Sequence, residues 1–304
     1  MDLRQFEVVR EVVGTGSVTA AAQVLHCTPS AVSQQLRAAE RAAGVALVEK
    51  DGRGLRPTPA GRALAAAAAD VAVAVERARA ACDDYAERPG GTVRVAAFLS
   101  AGELLFPRLL AGLAQRPEHG GIVVECVEED VAQDEFPDAT ARSDIVLSHR
   151  PRRSPPWRVP GVRATLLLHE PLDVALPVTH PLAARPDVAP ADLAGEDWIT
   201  VRPGFPIANV LTELESRAGT AFAVRHRIND FHVTEALVAA GHGVALLPRY
   251  TSDDRAGTRF VLRPVRGLHA GRTIEALVRE DRAQRRVVRA VLRELRAQAA
   301  SIGG

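Results

Sequence analysis

Pro89-Gly90-Gly91 is the sharpest break in the sequence, and a different texture opens after it. Proline ends a helix and a glycine pair frees the chain to turn. Upstream, Pro59 to Arg88 holds no Pro or Gly after Gly61, which predicts one long helix. Downstream, β-branched runs alternate with helical ones. Thr92–Ala97, Ile122–Val127, Asp144–Ser148, Leu172–Pro177, Trp198–Val201, Ala223–Ile228 and Val244–Pro248 predict strands. Leu104–Gln115, Ile207–Ala218 and His232–Ala240 predict helices. Such apolar strands predict parallel sheets covered by helices. At 304 residues the chain has room for two or three compact units.

The stretch from Ser17 to Gly44 has the physics of a helix-turn-helix. Ser17 is a good N-cap for a helix whose Ala21, Ala22 and Leu25 form a small packing face. After a turn at His26-Cys27, Thr28 caps a second helix with Pro29 at its first position. That helix runs from Ser30 to about Ala43 and stops at Gly44. At about 100° per residue, Ser30, Ser33, Gln34 and Arg37 share one face, with Val32, Leu36 and Ala39 roughly opposite. Hydroxyls, an amide and a guanidinium on one face suit phosphate and base-edge contacts in a major groove. An ordinary amphipathic helix would show the same polar side, so the neighbours decide. Leu47-Val48-Glu49-Lys50 and Leu55-Arg56-Pro57 predict two short strands around Asp51-Gly52-Arg53-Gly54, a wing with cations at its tip. The expected DNA contacts are Thr28, Pro29, Ser30, Ser33, Gln34, Arg37, Arg53 and Arg56. Over residues 1–66, eight basic residues stand against six acidic ones, so placement of cations and dimerisation must supply the affinity.

In the long helix Leu64, Ala68, Val71, Val75, Ala78, Cys82 and Tyr85 recur in alternating steps of four and three. That spacing predicts a seam that pairs with a second copy, placing two reading helices on a two-fold DNA site. The alternative is a helix packed once against its own domain. Cys82 reads as a small packing residue rather than a redox switch, because its flanks are apolar or acidic.

Other functions lack their chemistry. The three cysteines have no zinc or disulfide spacing, and neither a catalytic nor a nucleotide-binding motif occurs, so no enzyme, metal or cofactor is expected. No apolar run is long enough to span a bilayer and no leader precedes the first helix, so a cytoplasmic protein without membrane contact is expected.

Residues Leu3 to Gly61 resemble the N-terminal region of LysR-type regulators. They share Phe6, Gly16-Ser17-Val18, Ala21-Ala22 with Leu25, Ser30-Ala31-Val32-Ser33-Gln34-Gln35-Leu36, Glu40, Gly44, and Gly52 through Gly61. Three positions depart: Val48 where Phe is usual, Lys50 where Arg is usual, and Pro29 where Gln is common. The last shifts readout towards Ser30, Ser33, Gln34 and Arg37. The long helix is similar to the family's linker helix. Residues 92–304 resemble the family's effector domain, with landmarks at His180-Pro181-Leu182, Asp230 through Gly243 and Val244 through Pro248.

The resemblance implies a winged helix-turn-helix at 1–58, a linker helix at 59–88, and an α/β effector domain of two Rossmann-like lobes at 92–304. That domain would have the fold of periplasmic binding proteins, with lobe 1 spanning 92–165 and 268–304, and lobe 2 spanning 166–267. It also implies a homodimer or a dimer of dimers, a pseudo-palindromic double-stranded operator and RNA polymerase as partners, and a small-molecule effector between the lobes. Three loops lead into helices there: Ser100-Ala101-Gly102, Arg202-Pro203-Gly204-Phe205 and Asn229-Asp230-Phe231-His232. Helix N-termini favour an anionic group, so Ser100, Gly102, Arg202, Gly204, Phe205, Asp230, Phe231 and His232 are the expected effector contacts. Phe205 is either an apolar wall or lobe packing. Phe231 and His232 either line the cleft or serve as cap and core.

Overall fold

The computed structural model describes residues 1–52, 54–83, 90–252, 258–268 and 270–302. The head contains α1 (Leu3–Thr15), α2 (Val18–Val24) and α3 (Pro29–Ala43), followed by the wing strands β1 (Val48–Asp51) and β2 (Gly54–Pro57). Each helix start has a side-chain acceptor: Asp2 for α1, Ser17 for α2, Thr28 for α3. Pro29 occupies the first turn of α3, and Gly44 ends it at φ 71°, where a side chain would be strained. Val8, Val9 and Val12 of α1 meet Ala21, Val32 and Leu36 in a closed apolar core.

Helix α4 (Pro59–Asp83) leaves the wing at Thr58, whose hydroxyl accepts from the Gly61 N–H and donates to the Ala46 carbonyl. A Cβ on Gly61 would lie 1.9 Å from the Leu47 carbonyl oxygen, so only glycine lets α4 start this close to the wing. The described part of the helix stops at Asp83, five residues short of Arg88, the expected end; Tyr85 and Arg88 lie outside the described residues.

The remainder forms two lobes. Lobe 1 carries β3 (Gly90–Ala97), α5 (Leu99–Ala114), β4 (Gly121–Glu128), the single turn α6 (Phe136–Ala139) and β5 (Ile145–Pro151). Strand β6 (Val162–Pro177) crosses into lobe 2, which holds β7 (Asp197–Thr200), α7 (Pro206–Ala218), β8 (Ala223–Arg227), α8 (Phe231–Ala239), β9 (Val244–Pro248) and β10 (Phe260–Arg263). Strand β11 (Gly271–Arg279) returns to lobe 1, and α9 (Arg286–Ala300) covers it. The strand order is β4-β3-β5-β11-β6-β9-β7-β8, with β10 also on β6.

The sheets are mixed, where the apolar runs predicted parallel ones. The triplets β4-β3-β5 and β9-β7-β8 are parallel, but β6 and β11 pair antiparallel with each other and with their neighbours. The reason is topological: a strand leaving one lobe and a strand coming back run in opposite directions. β6 changes partner between Pro171, opposite Gly271, and Leu172, opposite Pro248. Each lobe has its own apolar core, around Leu105, Phe136, Leu147 and Val291 in the first and Trp198, Leu214 and Leu246 in the second.

Candidate functional site

Helix α3 presents the expected face. Thr28, Pro29, Ser30, Gln34 and Arg37 are exposed and Ser33 is half-buried, while Val32 and Ala39 on the opposite side are fully buried. Arg37 meets no acceptor among the described residues, so its guanidinium is free for a ligand. In the wing, Arg56 pairs across the strands with Glu49 at 2.7 Å, so part of its charge is already matched. Arg53 lies outside the described residues.

The second set of residues sits between the lobes. Helix α5 starts at Leu99, five residues earlier than expected, so Ser100 and Gly102 belong to its first turn rather than to a loop. The early start left no trace in the sequence because Phe98, at the N-cap, has no side-chain acceptor. Ser100 is buried, and its Oγ accepts from Arg272 Nη2 at 2.7 Å. Arg272 is itself 1% exposed and donates through Nε to Glu170 at 2.7 Å. Its guanidinium lies 4.8 Å from the Phe98 ring centroid and 5.8 Å from that of Phe231. Nη1 meets no acceptor among the described residues. The buried Glu170 Oε1 and His149 Nδ1 are also without partners there. Burial first, and then the Arg272 charge, hold the His149 imidazole well below its ordinary pKa, so it is neutral at neutral pH.

Of the expected effector contacts, Ser100, Phe205 and Phe231 line this space, joined by Leu99, Asp130, His149, Asn229 and Arg272. Gly102, Arg202, Gly204, Asp230 and His232 do not line it. Gly102 packs beneath the Phe106 ring, and Arg202 lies over the Phe205 ring at 5.1 Å. Gly204 offers its carbonyl to Gln133 N–H across the lobes. Asp230 caps α8 by accepting from His232 and Val233 N–H groups. His232 is exposed and reaches Glu103 of the opposite lobe at 3.6 Å. Arg272, His149 and Asp130 carry no local sequence signal: Arg272 is 172 positions from the serine it touches, and Arg272, Thr273 and Glu275 interrupt any apolar run in β11.

The lobes are closed on each other. Asn229 Nδ2 donates to Asp130 at 3.3 Å and Arg153 pairs with Glu213 at 2.9 Å, both across the gap. Desolvation raises the Asp130 carboxyl above its ordinary pKa, against the opposing hydrogen bond from Asn229. The free space between the lobes is about 20 Å³, roughly one water's worth.

A third feature joins head to lobe. Glu11 of α1 accepts from Arg279 at 2.8 Å, and Arg10 donates to Asp281 at 2.7 Å. All four side chains are at most 16% exposed. Burial raises the Glu11 carboxyl, but Arg279 and Arg10 outweigh it and the net shift is downward; Asp281 behaves alike. Strand β11 therefore carries a cleft arginine at one end and a head-binding arginine at the other, roughly 23 Å apart along an extended strand.

Along the expected dimer seam, Leu64 and Ala68 turn partly or wholly inward, Leu64 against the head's own core. Val71 and Val75 are half-buried, and Ala78 and Cys82 are exposed. Among the described residues no cluster of His, Cys, Asp or Glu could hold a metal ion, and no helix is long and apolar enough to cross a membrane.

A helix-turn-helix head held through α1 to one lobe of a two-lobed α/β domain is the architecture of a ligand-responsive helix-turn-helix regulator. Residues 3–62 match the profile of the bacterial regulatory helix-turn-helix protein of the lysR family, and residues 86–300 match the LysR substrate binding domain. The chain belongs to the LysR family of DNA-binding transcriptional regulators. It is 34% identical over 279 residues to the small neutral protease regulatory protein of Streptomyces coelicolor, covering 87% of this chain and 82% of that one. It is 26% identical to the transcriptional dual regulator GltC of Bacillus subtilis, over 93% and 92% of the two chains. A solved full-length OxyR variant from Pseudomonas aeruginosa shares the fold, with a TM-score of 0.70 at 19% identity and coverage of 97% and 98%.

Proposed function

We propose that the chain works in the cytoplasm as a homodimer, assembling further into a dimer of dimers. It reads a pseudo-palindromic operator with α3 and the wing, and a small anionic effector between the lobes switches it. It has no catalytic role. RNA polymerase would meet the DNA-bound form.

One observation carries the effector reading. Arg272 Nη1 and the N–H groups of Leu99 and Ser100 meet no acceptor among the described residues, yet all three residues line the cleft. An oxyanion placed between the lobes satisfies these donors together. Phe98, Phe205 and Phe231 then limit the rest of the ligand to a compact, partly apolar body. The switch follows from β11. An anion that draws Arg272 shifts the strand whose far end holds α1 through Arg279, and so alters the pitch of α3. The ligand must bind one lobe arrangement better than the other, since equal affinity shifts nothing.

The test is a DNA footprint with and without the effector. Ser100→Ala is expected to lose the ligand-dependent change, and Arg202→Ala to weaken it through Phe205. Full response in both variants rules out this placement.

A further inference from the structure

The cleft is not simply positive. Glu170 already matches the Arg272 charge, Oε2 to Nη2 at 2.6 Å, with side chains 0% and 1% exposed. His149 is neutral and adds no charge. A second carboxylate, Asp130, lines the same space. Arg202 of lobe 2 lies over the Phe205 ring, and its charge reaches Asp130 without a hydrogen bond to it. One lining guanidinium therefore faces two carboxylates, and a plain anion added between the lobes widens that deficit where charges are poorly solvated.

The sheet fixes where Asp130 stands. Strands β3 and β4 are parallel neighbours, with Ala97 opposite Glu128. The Glu129 N–H extends the ladder by donating to the Ala97 carbonyl at 2.8 Å. Asp130 follows directly, beside the chain that enters the first turn of α5. Its Oδ2 accepts from Asn229 Nδ2, and the Asn229 amide is oriented by the Arg202 N–H, which donates to its Oδ1 at 3.0 Å. Asp130 Oδ1 meets no donor among the described residues. Desolvation outweighs Asn229, Arg202 and Arg272 in setting the carboxyl's pKa, the mark of a carboxylate short of cationic company.

We propose that the cleft takes a small α-amino acid as its zwitterion, with its carboxylate on Arg272 Nη1 and the Leu99 and Ser100 N–H groups and its ammonium on Asp130. This assignment deepens the anion reading of the same cleft and rests on it. A zwitterion adds no net charge, and its ammonium supplies the cation that Asp130 lacks. The space of about 20 Å³ and the position of Asp130 beside the start of α5 suit charges on adjacent atoms of one carbon rather than at the two ends of a chain. Phe98, Phe205 and Phe231 enclose a short apolar side chain.

Probe pairs that differ only in the ammonium test it: L-alanine against propionate, and L-valine against isovalerate, titrated by calorimetry into the full chain. The amino acids are expected to bind saturably and the bare acids about tenfold or more weakly, since one charged hydrogen bond is missing. Asp130→Asn keeps the shape and the acceptor for Asn229. It is expected to lower amino-acid affinity about tenfold or more while the acids bind as before or better. Bare acids that bind as tightly as the amino acids, or amino-acid affinity within about twofold of the parent in Asp130→Asn, overturn the proposal. If Ser100→Ala still weakens the acids in that case, the anion reading survives alone. Absence of saturable binding by either pair overturns both.

Discussion

Neutralising a single carboxylate should loosen the reading head from lobe 1. Glu11 sits 2.8 Å from Arg279 with both side chains at most 13% exposed. At that distance an effective dielectric of about 20 gives a gross attraction of about 6 kcal/mol. Desolvation of the buried charges offsets most of it, so a double-mutant cycle of Glu11→Gln with Arg279→Met is expected to return a coupling of about 1–3 kcal/mol. Glu11→Gln alone leaves Arg279 buried without its nearest carboxylate, Asp281 lying 3.6 Å away, and is expected to cost about 3 kcal/mol. Urea melts followed by far-ultraviolet circular dichroism measure the cycle, and amide exchange in α1 reports release of the head directly. The pH dependence has a fixed sign. Both Glu11 and Asp281 carry lowered folded-state pKa values, so their contribution is fully present above the ordinary carboxylate range and is lost as pH falls below about 4. A coupling below about 0.5 kcal/mol, or a head contact indifferent to acid, refutes the reasoning.

Val71→Glu or Val75→Glu is expected to turn dimers into monomers or unfolded chains, because facing charges in a dry seam are costly; unchanged sedimentation of both variants means that α4 does not pair. Gly61→Ala forces a methyl against the Leu47 carbonyl, 1.9 Å from the ideal Cβ, and is expected to destabilise the head by about 1–3 kcal/mol in a urea melt. Arg53→Ala should weaken binding to all DNA sequences alike and flatten its salt dependence, measured as the slope of log affinity against log salt.

The head was legible because its signals are local. Thr28-Pro29 and Gly44 bracket α3, and the period of Val32, Leu36 and Ala39 tells which face is buried. Strands that are wholly apolar, such as β9, announced themselves equally well. The cleft was less legible for two reasons. Phe98 caps α5 without a side-chain acceptor, so nothing local marks the start of the helix, and the sequence predicts a loop at Ser100. Arg272 sits in a strand whose buried face includes Glu275 and Thr273, polar residues matched only by distant partners, so no short-range period marks it. The contact of Glu11 with Arg279 spans 268 positions. On a single amphipathic helix, Arg10 and Glu11 read as an ordinary solvated pair.

The central claim is that α3 reads DNA sequence through its outward face, and fluorescence anisotropy tests it most directly. A labelled duplex from the chain's own upstream region and a shuffled duplex are titrated with the parent chain, Arg37→Ala and Ser33→Ala at fixed salt. A good base contact contributes about 1–3 kcal/mol of discrimination. The account predicts that Arg37→Ala loses about tenfold or more on the upstream duplex while its affinity for the shuffled duplex falls far less, with Ser33→Ala following the same pattern more weakly. Upstream affinities within about twofold of the parent for both variants would contradict it.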